Sequence, residues 1–318
     1  MTKNYYALKN KPINTARIIS ENRINYILGF INGDSKSCNK YACQQDLYVG
    51  DIVKLNITKD NKEQLELIER KNVISKASNT TAKNYNFSES DQILATNIDQ
   101  MFIFLPLDHH FSLSKLERYV LVFSQDSIDL TIILSKKDLC PNFEDILKTI
   151  TLLYPSVTIQ SISIFEEDSI KEFKNRLIPG KIGLFIGSSG AGKSTLINYL
   201  QNDITLKTNN IKKDGKGKHT TTSSTIIPCN EINYSIIDTP GFKGIDKHYQ
   251  IDMEVLFDRI ESIGRHCKFS NCKHLTEPKC AVKQAVLDGI IDQKVLDRYH
   301  YNVQKLELLT KRRKSWRF

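Results

Sequence analysis

One stretch in the middle of the chain constrains everything around it. Gly187, Ser188, Ser189, Gly190, Ala191, Gly192, Lys193 and Ser194 match the spacing G-x-x-x-x-G-K-S/T without a gap. The stretch follows an apolar run at 181–186 and opens a helical one at 195–200. In a strand–loop–helix of this kind, backbone N–H groups turn inward around phosphate oxygens and the helix N-terminus adds positive potential. Lys193 is expected on the β- and γ-phosphates, and Ser194 on Mg²⁺. The surroundings suit such a loop. Apolar runs at 101–105, 129–134, 157–164, 181–186 and 234–237 alternate with helical stretches at 114–123, 143–153 and 169–177. That rhythm predicts a parallel sheet with helices on both faces.

The chain has 318 residues, which suits two or three domains rather than one core. Residues 1–75 carry short apolar or alternating runs at 16–20, 26–31, 41–43, 51–57 and 64–70, with turn residues between them. They predict a small β-barrel, and an OB-fold and an SH3-like barrel both fit the pattern. Tyr26, Phe30, Tyr41 and Tyr48 are its aromatic candidates for stacking on bases, each expected in the core rather than on a platform. Residues 76–90 are polar and aperiodic and read as a linker. After 253 the chain turns helical, with helices expected at 281–289 and 293–310 and a basic tail from 311. From 255 onward there are 14 Lys and Arg against 7 Asp and Glu, so most of the net charge of +9 sits in the last fifth. Such a surface suits a polyanion such as RNA. No apolar run approaches the roughly 20 residues that span a bilayer. Residues 1–10 have no apolar core of a secretory signal, so the cytoplasm is expected. The cysteine count of seven argues against a disulfide framework.

Two further segments belong with the phosphate loop. Asp238, at the end of a strand and followed by Thr239, Pro240 and Gly241, occupies the place of the Mg²⁺-linked carboxylate, and the Gly241 N–H is expected to sense the γ-phosphate. Between the two lies 215–222, a loop with Lys216, Lys218, His219, Thr220 and Thr221, where a γ-phosphate switch belongs. A base-reading motif comes earlier. Ser135, Lys136, Lys137 and Asp138 end the run at 131–134 and are similar to the guanine-reading N-K-x-D. Asp138 would accept hydrogen bonds from guanine N1–H and the 2-amine, donors that adenine lacks there. The Lys136 stem would cover the base plane. Ser135 stands where Asn is usual, which reaches the base and also braces the phosphate loop; a serine is shorter and cannot do both, so GTP specificity with weaker binding is expected. In ordinary GTPases the phosphate loop precedes the base motif. Here it follows by about 50 residues, an order that a circular permutation produces.

Taken together, these motifs resemble the circularly permuted ribosome-assembly GTPases of the RsgA type (ribosome small-subunit-dependent GTPase A). The resemblance also rests on Asn97-Ile-Asp-Gln100, on Thr195 after the phosphate loop, and on the C-terminal cysteines. It implies a multidomain protein: an N-terminal OB-fold at 1–75, a permuted α/β GTPase domain at 90–252 and a mostly helical zinc domain at 253–318. It implies GTP hydrolysis stimulated by the small ribosomal subunit, with rRNA and GTP/GDP as partners, no membrane, and a monomer. Ser163 and Ile164 stand where the family has Ser-Ala at the guanine O6, a second departure in base binding. Phe242 replaces the glutamine that orients water in Ras-like enzymes, and the family points to His219 instead. Thr220 or Thr221 would join Ser194 and Asp238 on Mg²⁺. Cys267, Cys272, His274 and Cys280 are ligands of the types that suit tetrahedral Zn²⁺, and four protein ligands make the site structural. Two other classes compete: a P-loop ATPase or nucleotide kinase, and an RNA-binding module or paralogue whose nucleotide site has weakened.

Overall fold

Period-two alternation at the N-terminus forms five antiparallel strands, β1 (Thr15–Glu21), β2 (Asn25–Phe30), β3 (Ser35–Asn39), β4 (Ile52–Ile57) and β5 (Glu63–Glu69). They lie in the order β3-β2-β1-β4-β5. Lys36 on β3 and Glu63 on β5, the two outer strands, form an ion pair at 2.6 Å. The computed structural model describes residues 11–77, 91–108, 111–123, 128–202, 224–239 and 253–315. The run at 41–43 is not a strand. It lies on a 3₁₀ turn, Lys40–Ala42, because the Asn39 side chain accepts the Tyr41 N–H at 2.9 Å and starts the turn. The strand falls one segment earlier, in the polar Ser35–Asn39, whose sequence hides its pairing with β2. The expected linker at 76–90 also begins inside a strand: β6 (Val73–Ala77) pairs antiparallel with β7 (Asp91–Thr96). The rest of that stretch lies outside the described residues.

The expected alternation of strands and helices along the chain is realised, although the helices Leu113–Phe123 and Phe143–Leu153 belong to a separate compact unit. Strands β8 (Gln100–Pro106), β9 (Asp129–Ser135), β10 (Thr158–Ile162), β11 (Ile182–Gly187), β12 (Thr225–Cys229) and β13 (Tyr234–Asp238) alternate with helices α1 (Leu113–Phe123), α2 (Phe143–Leu153), α3 (Glu167–Arg176) and α4 (Lys193–Asn202). β8 pairs parallel with β9 and β11, and β11 with β13. β12, absent from the sequence reading, pairs antiparallel with β13 and with β1, Ser20 facing Thr225. An 11-stranded sheet therefore runs on from the nucleotide-type sheet into the N-terminal strands. β8 is buried along its whole length, as a central strand covered on both faces requires. Phe102, Phe104, Phe173 and Phe185 fill the core beneath it, with ring centroids 5.1–6.4 Å apart.

Asn97-Ile-Asp-Gln100 proves to be a joint. Asn97, at φ 54°, donates to Gly50 O and Glu69 O and accepts the Lys71 N–H. Asp99 accepts the Ile182 N–H, and Gln100 bonds Asp129, the Arg176 carbonyl and Tyr234. Gly50 is required at this joint. At φ 105° a Cβ would lie 2.0 Å from Thr96 O.

The described residues fall into two compact units: one within 1–111, 125–141 and 160–246, the other within 112–124, 142–159 and 247–318. The second holds α1, α2, α5 (Met253–Gly264), α6 (Ala281–Leu287) and α7 (Gln293–Ser315). α1 buries Leu116, Glu117, Tyr119, Val120 and Phe123, a helical stripe with one carboxylate in it. Glu117 accepts from Arg298 Nε and Nη2, both at 2.8 Å, from Asn302 Nδ2 at 2.8 Å, and from the Tyr154 hydroxyl. Removing one partner of such a buried pair leaves an uncompensated charge, which costs about 3–5 kcal/mol. Arg298→Ala is therefore expected to lower the unfolding free energy by about that amount, read by urea denaturation followed by helical circular dichroism. A loss near zero would mean that the pair contributes nothing. Among the described residues, no helix is long and apolar enough to cross a membrane.

Candidate functional site

The phosphate loop leaves the C-terminal end of β11, the strand flanked in parallel by β8 and β13. Gly187 packs so close to β8 that a Cβ would meet Phe104 O at 2.6 Å. Gly190 and Gly192 take φ of 76° and 89°, the left-handed region that lets successive N–H groups face inward. Lys193 Nζ donates to Gly187 O at 2.7 Å and Ser188 O at 3.1 Å, arching over the loop. Ser194 and Thr195 are exposed on the first turn of α4. Asp238 ends β13, level with Phe185 of β11. Burial lowers the Lys193 pKa and raises that of Asp238, and each charge opposes the shift of the other. Two opposite charges thus sit desolvated at one end of the sheet, where an anionic ligand with a hard cation would complete them. Thr239 donates its hydroxyl to Phe185 O at 3.2 Å, tying the end of β13 to β11.

The base motif lies on the same end of the sheet. Ser135, 4% exposed, donates its hydroxyl to the carbonyl of Ala191 in the phosphate loop at 2.8 Å. Of the two tasks a serine is too short to combine, it performs the brace; Asp138 is exposed on the 3₁₀ turn Lys137–Leu139. Lys136 takes φ 61°, and its amine lies 3.9 Å from Asp108 at the end of β8. Lys137 pairs with Glu166 at 2.7 Å. Ser163 is fully buried; its N–H donates to Ser169 Oγ at 3.0 Å and its Oγ accepts the Phe165 N–H at 3.2 Å. Asp108 and Glu166 were missed from sequence, since their partners lie 28 and 29 residues away with no motif joining them. His219, Thr220, Thr221, Gly241 and Phe242 lie outside the described residues.

The second cluster is in the helical unit. One ligand atom each from Cys267, Cys272, His274 and Cys280 lies within 4.8 Å of all the others. Zn–S bonds of about 2.3 Å and Zn–N bonds of about 2.0 Å in a tetrahedron set S···S edges of ~3.8 Å and S···N edges of ~3.5 Å. Cys267 and Cys280 sulfurs are 3.8 Å apart, and His274 Nδ1 is 3.6 and 3.3 Å from them. The donor set and its spacing fit the ion. His274 takes φ 60°, and its ring lies against Gly264, where a Cβ would come within 3.3 Å of it. Glu277 clasps the loop by accepting the N–H groups of Lys273, Leu275 and Thr276.

A parallel sheet whose base motif precedes its phosphate loop in the chain, with the two joined by Ser135, defines a circularly permuted GTPase fold. Crystal structures of the same architecture agree. The circularly permuted GTPase YloQ superposes with a TM-score of 0.60, at 23% identity over 94% of this chain and 96% of that one. YjeQ from Thermotoga maritima does so at 0.62, with 22% identity over 92% and 98%. The RsgA GTPase family model matches residues 67–248. Small ribosomal subunit biogenesis GTPase RsgA 2 of Vibrio parahaemolyticus is 33% identical over 291 residues, covering 89% of this chain and 77% of that protein. Its namesake in Lactiplantibacillus plantarum is 34% identical over 261 residues, covering 81% and 70%. The chain belongs to the RsgA GTPase family.

Proposed function

We propose that this chain is a GTP hydrolase that assists late maturation of the small ribosomal subunit, binding rRNA and turning over GTP when the subunit is engaged. The observation that carries the reading is the Ser135–Ala191 hydrogen bond. It ties a guanine-type motif to a phosphate loop in permuted order, within a family whose relatives are named for small-subunit biogenesis.

The roles follow from chemistry. Gly187, Ser188, Ser189, Gly190, Ala191, Gly192, Lys193 and Thr195 cradle the phosphates; Ser194 and Asp238, with Thr220 or Thr221, supply oxygen ligands of the kind Mg²⁺ takes. A Mg²⁺ ion held by these oxygens would neutralise phosphate charge. Asp138 reads the guanine edge, the Lys136 stem lines the base, and Ser163 shapes the turn at the guanine O6. Gly241 senses the γ-phosphate. With Phe242 in place of a glutamine, His219 orients water when the subunit is engaged. Zn²⁺ in the cysteine–histidine cluster is structural.

The same reading divides the chain into an OB-fold at 1–75, the permuted GTPase domain at 90–252 and a zinc-binding helical domain at 253–318. The order β3-β2-β1-β4-β5 and the Lys36–Glu63 pair favour an OB barrel over an SH3-like one. Tyr26 is buried as expected and its hydroxyl accepts the Leu47 N–H, whereas Tyr41, expected in the core, is 95% exposed because it sits on the 3₁₀ turn rather than on a strand. Tyr41 is accordingly the barrel's stacking platform for RNA bases. The protein acts as a monomer in the cytoplasm.

Phosphate release from GTP, with and without purified small subunits, tests the reading: turnover should rise several-fold or more with subunits, and indifference to them would remove the ribosomal assignment. Asp138→Asn is expected to weaken GTP binding at least about tenfold while leaving ATP binding as poor as before. Equal affinities of the wild type for the two nucleotides would favour the ATPase reading. Stimulated turnover by His219→Ala equal to wild type would remove the role given to that residue.

A further inference from the structure

Lys137 occupies the variable position of the base motif, and its amine is paired with Glu166. Its side chain is 17% exposed, and Nζ sits 2.7 Å from Glu166 Oε2. Glu166, whose side chain is 48% exposed, is the N-cap of α3, and its carboxylate makes no capping hydrogen bond there. The turn ahead of α3 is held as one piece. Ser163 N–H donates to Ser169 Oγ, Phe165 N–H to Ser163 Oγ, and Glu166 N–H to Ser163 O. Whatever fixes Glu166 therefore fixes the backbone at 163–164.

On the other side of the pair, Lys136 is held in the left-handed region at φ 61°. A non-glycine residue stays there only where its neighbours over-determine it. Both neighbours are anchored: Ser135 to Ala191 O, and Lys137 to Glu166. The motif thus has one pin in the phosphate loop and one in the 163–169 turn, with Asp138 immediately after the second.

We propose that Lys137 does not contact nucleotide but acts with Glu166 as a positioning pair. It sets the distance between the Asp138 carboxylate and the 163–164 backbone, and so sets selectivity for guanine over other purines. This rests on the GTPase reading above. The chemistry is that of a two-sided clamp: Asp138 takes the N1–H and 2-amine donors, the opposing turn faces O6, and only a fixed gap between them admits guanine while penalising a base lacking those groups.

The test is a charge-swap cycle on the full chain: Lys137→Glu, Glu166→Lys, and the double variant Lys137→Glu/Glu166→Lys, with Lys137→Arg as the conservative control. The readouts are GDP and ADP dissociation constants by fluorescent-nucleotide titration, and turnover at saturating GTP. Each single reversal places like charges side by side. It is expected to weaken GDP about fivefold to tenfold, leave ADP unchanged and leave saturated turnover within about twofold. The swap and Lys137→Arg are expected to return GDP affinity to within about twofold of wild type. Should a single variant fail to fold, the swap decides alone: near-wild-type GDP binding supports the pair, and a tenfold loss in the folded swap overturns it. Single variants that bind GDP like wild type, or that lose GDP and ADP equally, also overturn it. A wild type that binds guanine nucleotides while all variants match it removes this inference alone; a wild type that binds none removes the GTPase reading as well.

Discussion

Lys193→Ala is expected to lower GTP turnover by about a thousandfold, which is about 4 kcal/mol of lost transition-state stabilisation. The lysine amine already reaches across the phosphate loop to Gly187 O and Ser188 O, so no reorganisation is needed to place it on a phosphate. Its environment is desolvated enough to lower its pKa, with Asp238 opposing the shift. In such a site a point charge is worth more than in water. The same desolvation separates catalysis from stability. A lysine whose pKa is lower folded than unfolded works against the fold wherever it is charged, that is, at pH below its unfolded value. Its removal therefore relieves a cost while losing two hydrogen bonds of about 1 kcal/mol each. The variant should unfold within about 1 kcal/mol of wild type while releasing almost no phosphate. Steady-state phosphate release beside a urea melt measures both. Wild-type turnover would disprove the assignment of Lys193, and a collapsed melt would show that the lysine serves the fold rather than the reaction.

What the sequence disclosed and what it hid divide along a physical line. Apart from β12, the strands and helices of the α/β part were legible because burial imposes apolar runs and stripes, as in β8, buried along its whole length, and the amphipathic α1. The phosphate loop was legible because its chemistry is contiguous. The zinc-type cluster was legible because its ligands fall within a short stretch. Interactions between distant residues left no local trace. Ser135 looked like a weakened asparagine, since nothing in its neighbours shows that Ala191 presents a carbonyl 2.8 Å away. Glu166 and Asp108 carried no motif. β3 was overlooked because its side chains are polar and only its backbone pairing with β2 makes it a strand. Asn97-Ile-Asp-Gln100 was noticed as a signature, but its work as a joint between Gly50, Glu69, Ile182 and Tyr234 shows only in three dimensions.

The other large effect belongs to the helical unit. Removing the metal proposed for Cys267, Cys272, His274 and Cys280 is expected to unfold the 265–287 region. Structural zinc contributes on the order of 10 kcal/mol of apparent binding energy, as large as the whole stability of many domains. The loop's other ties are exposed ones, Lys273 O to His300 Nε2 at 3.1 Å and Lys273 Nζ to Glu307 at 3.2 Å. Lys268 N–H reaches Lys279 O at 3.4 Å, Cys272 N–H reaches Phe269 O at 3.2 Å, and the Glu277 clasp is solvent-facing. Burial would raise the Cys267 thiol, but the Val282 and Ala281 backbone N–H groups bring its pKa below the ordinary value; burial lowers that of His274 and pushes the Cys272 thiol up to about 11. Cys280 links the cluster to α6, capping that helix by accepting the Lys283 N–H. Cys280→Ser is accordingly expected to abolish bound zinc and to cost the helical signal of α6. Glu277→Ala, which loosens the clasp and leaves the ligands in place, should keep the metal and bind it more weakly. Elemental analysis should return one zinc per chain for wild type and none for Cys280→Ser, with chelator reproducing the loss of helicity. Metal-free wild-type protein with unchanged circular dichroism would mean that three thiols and an imidazole have been gathered here by packing alone, leaving their tetrahedral spacing without a cause.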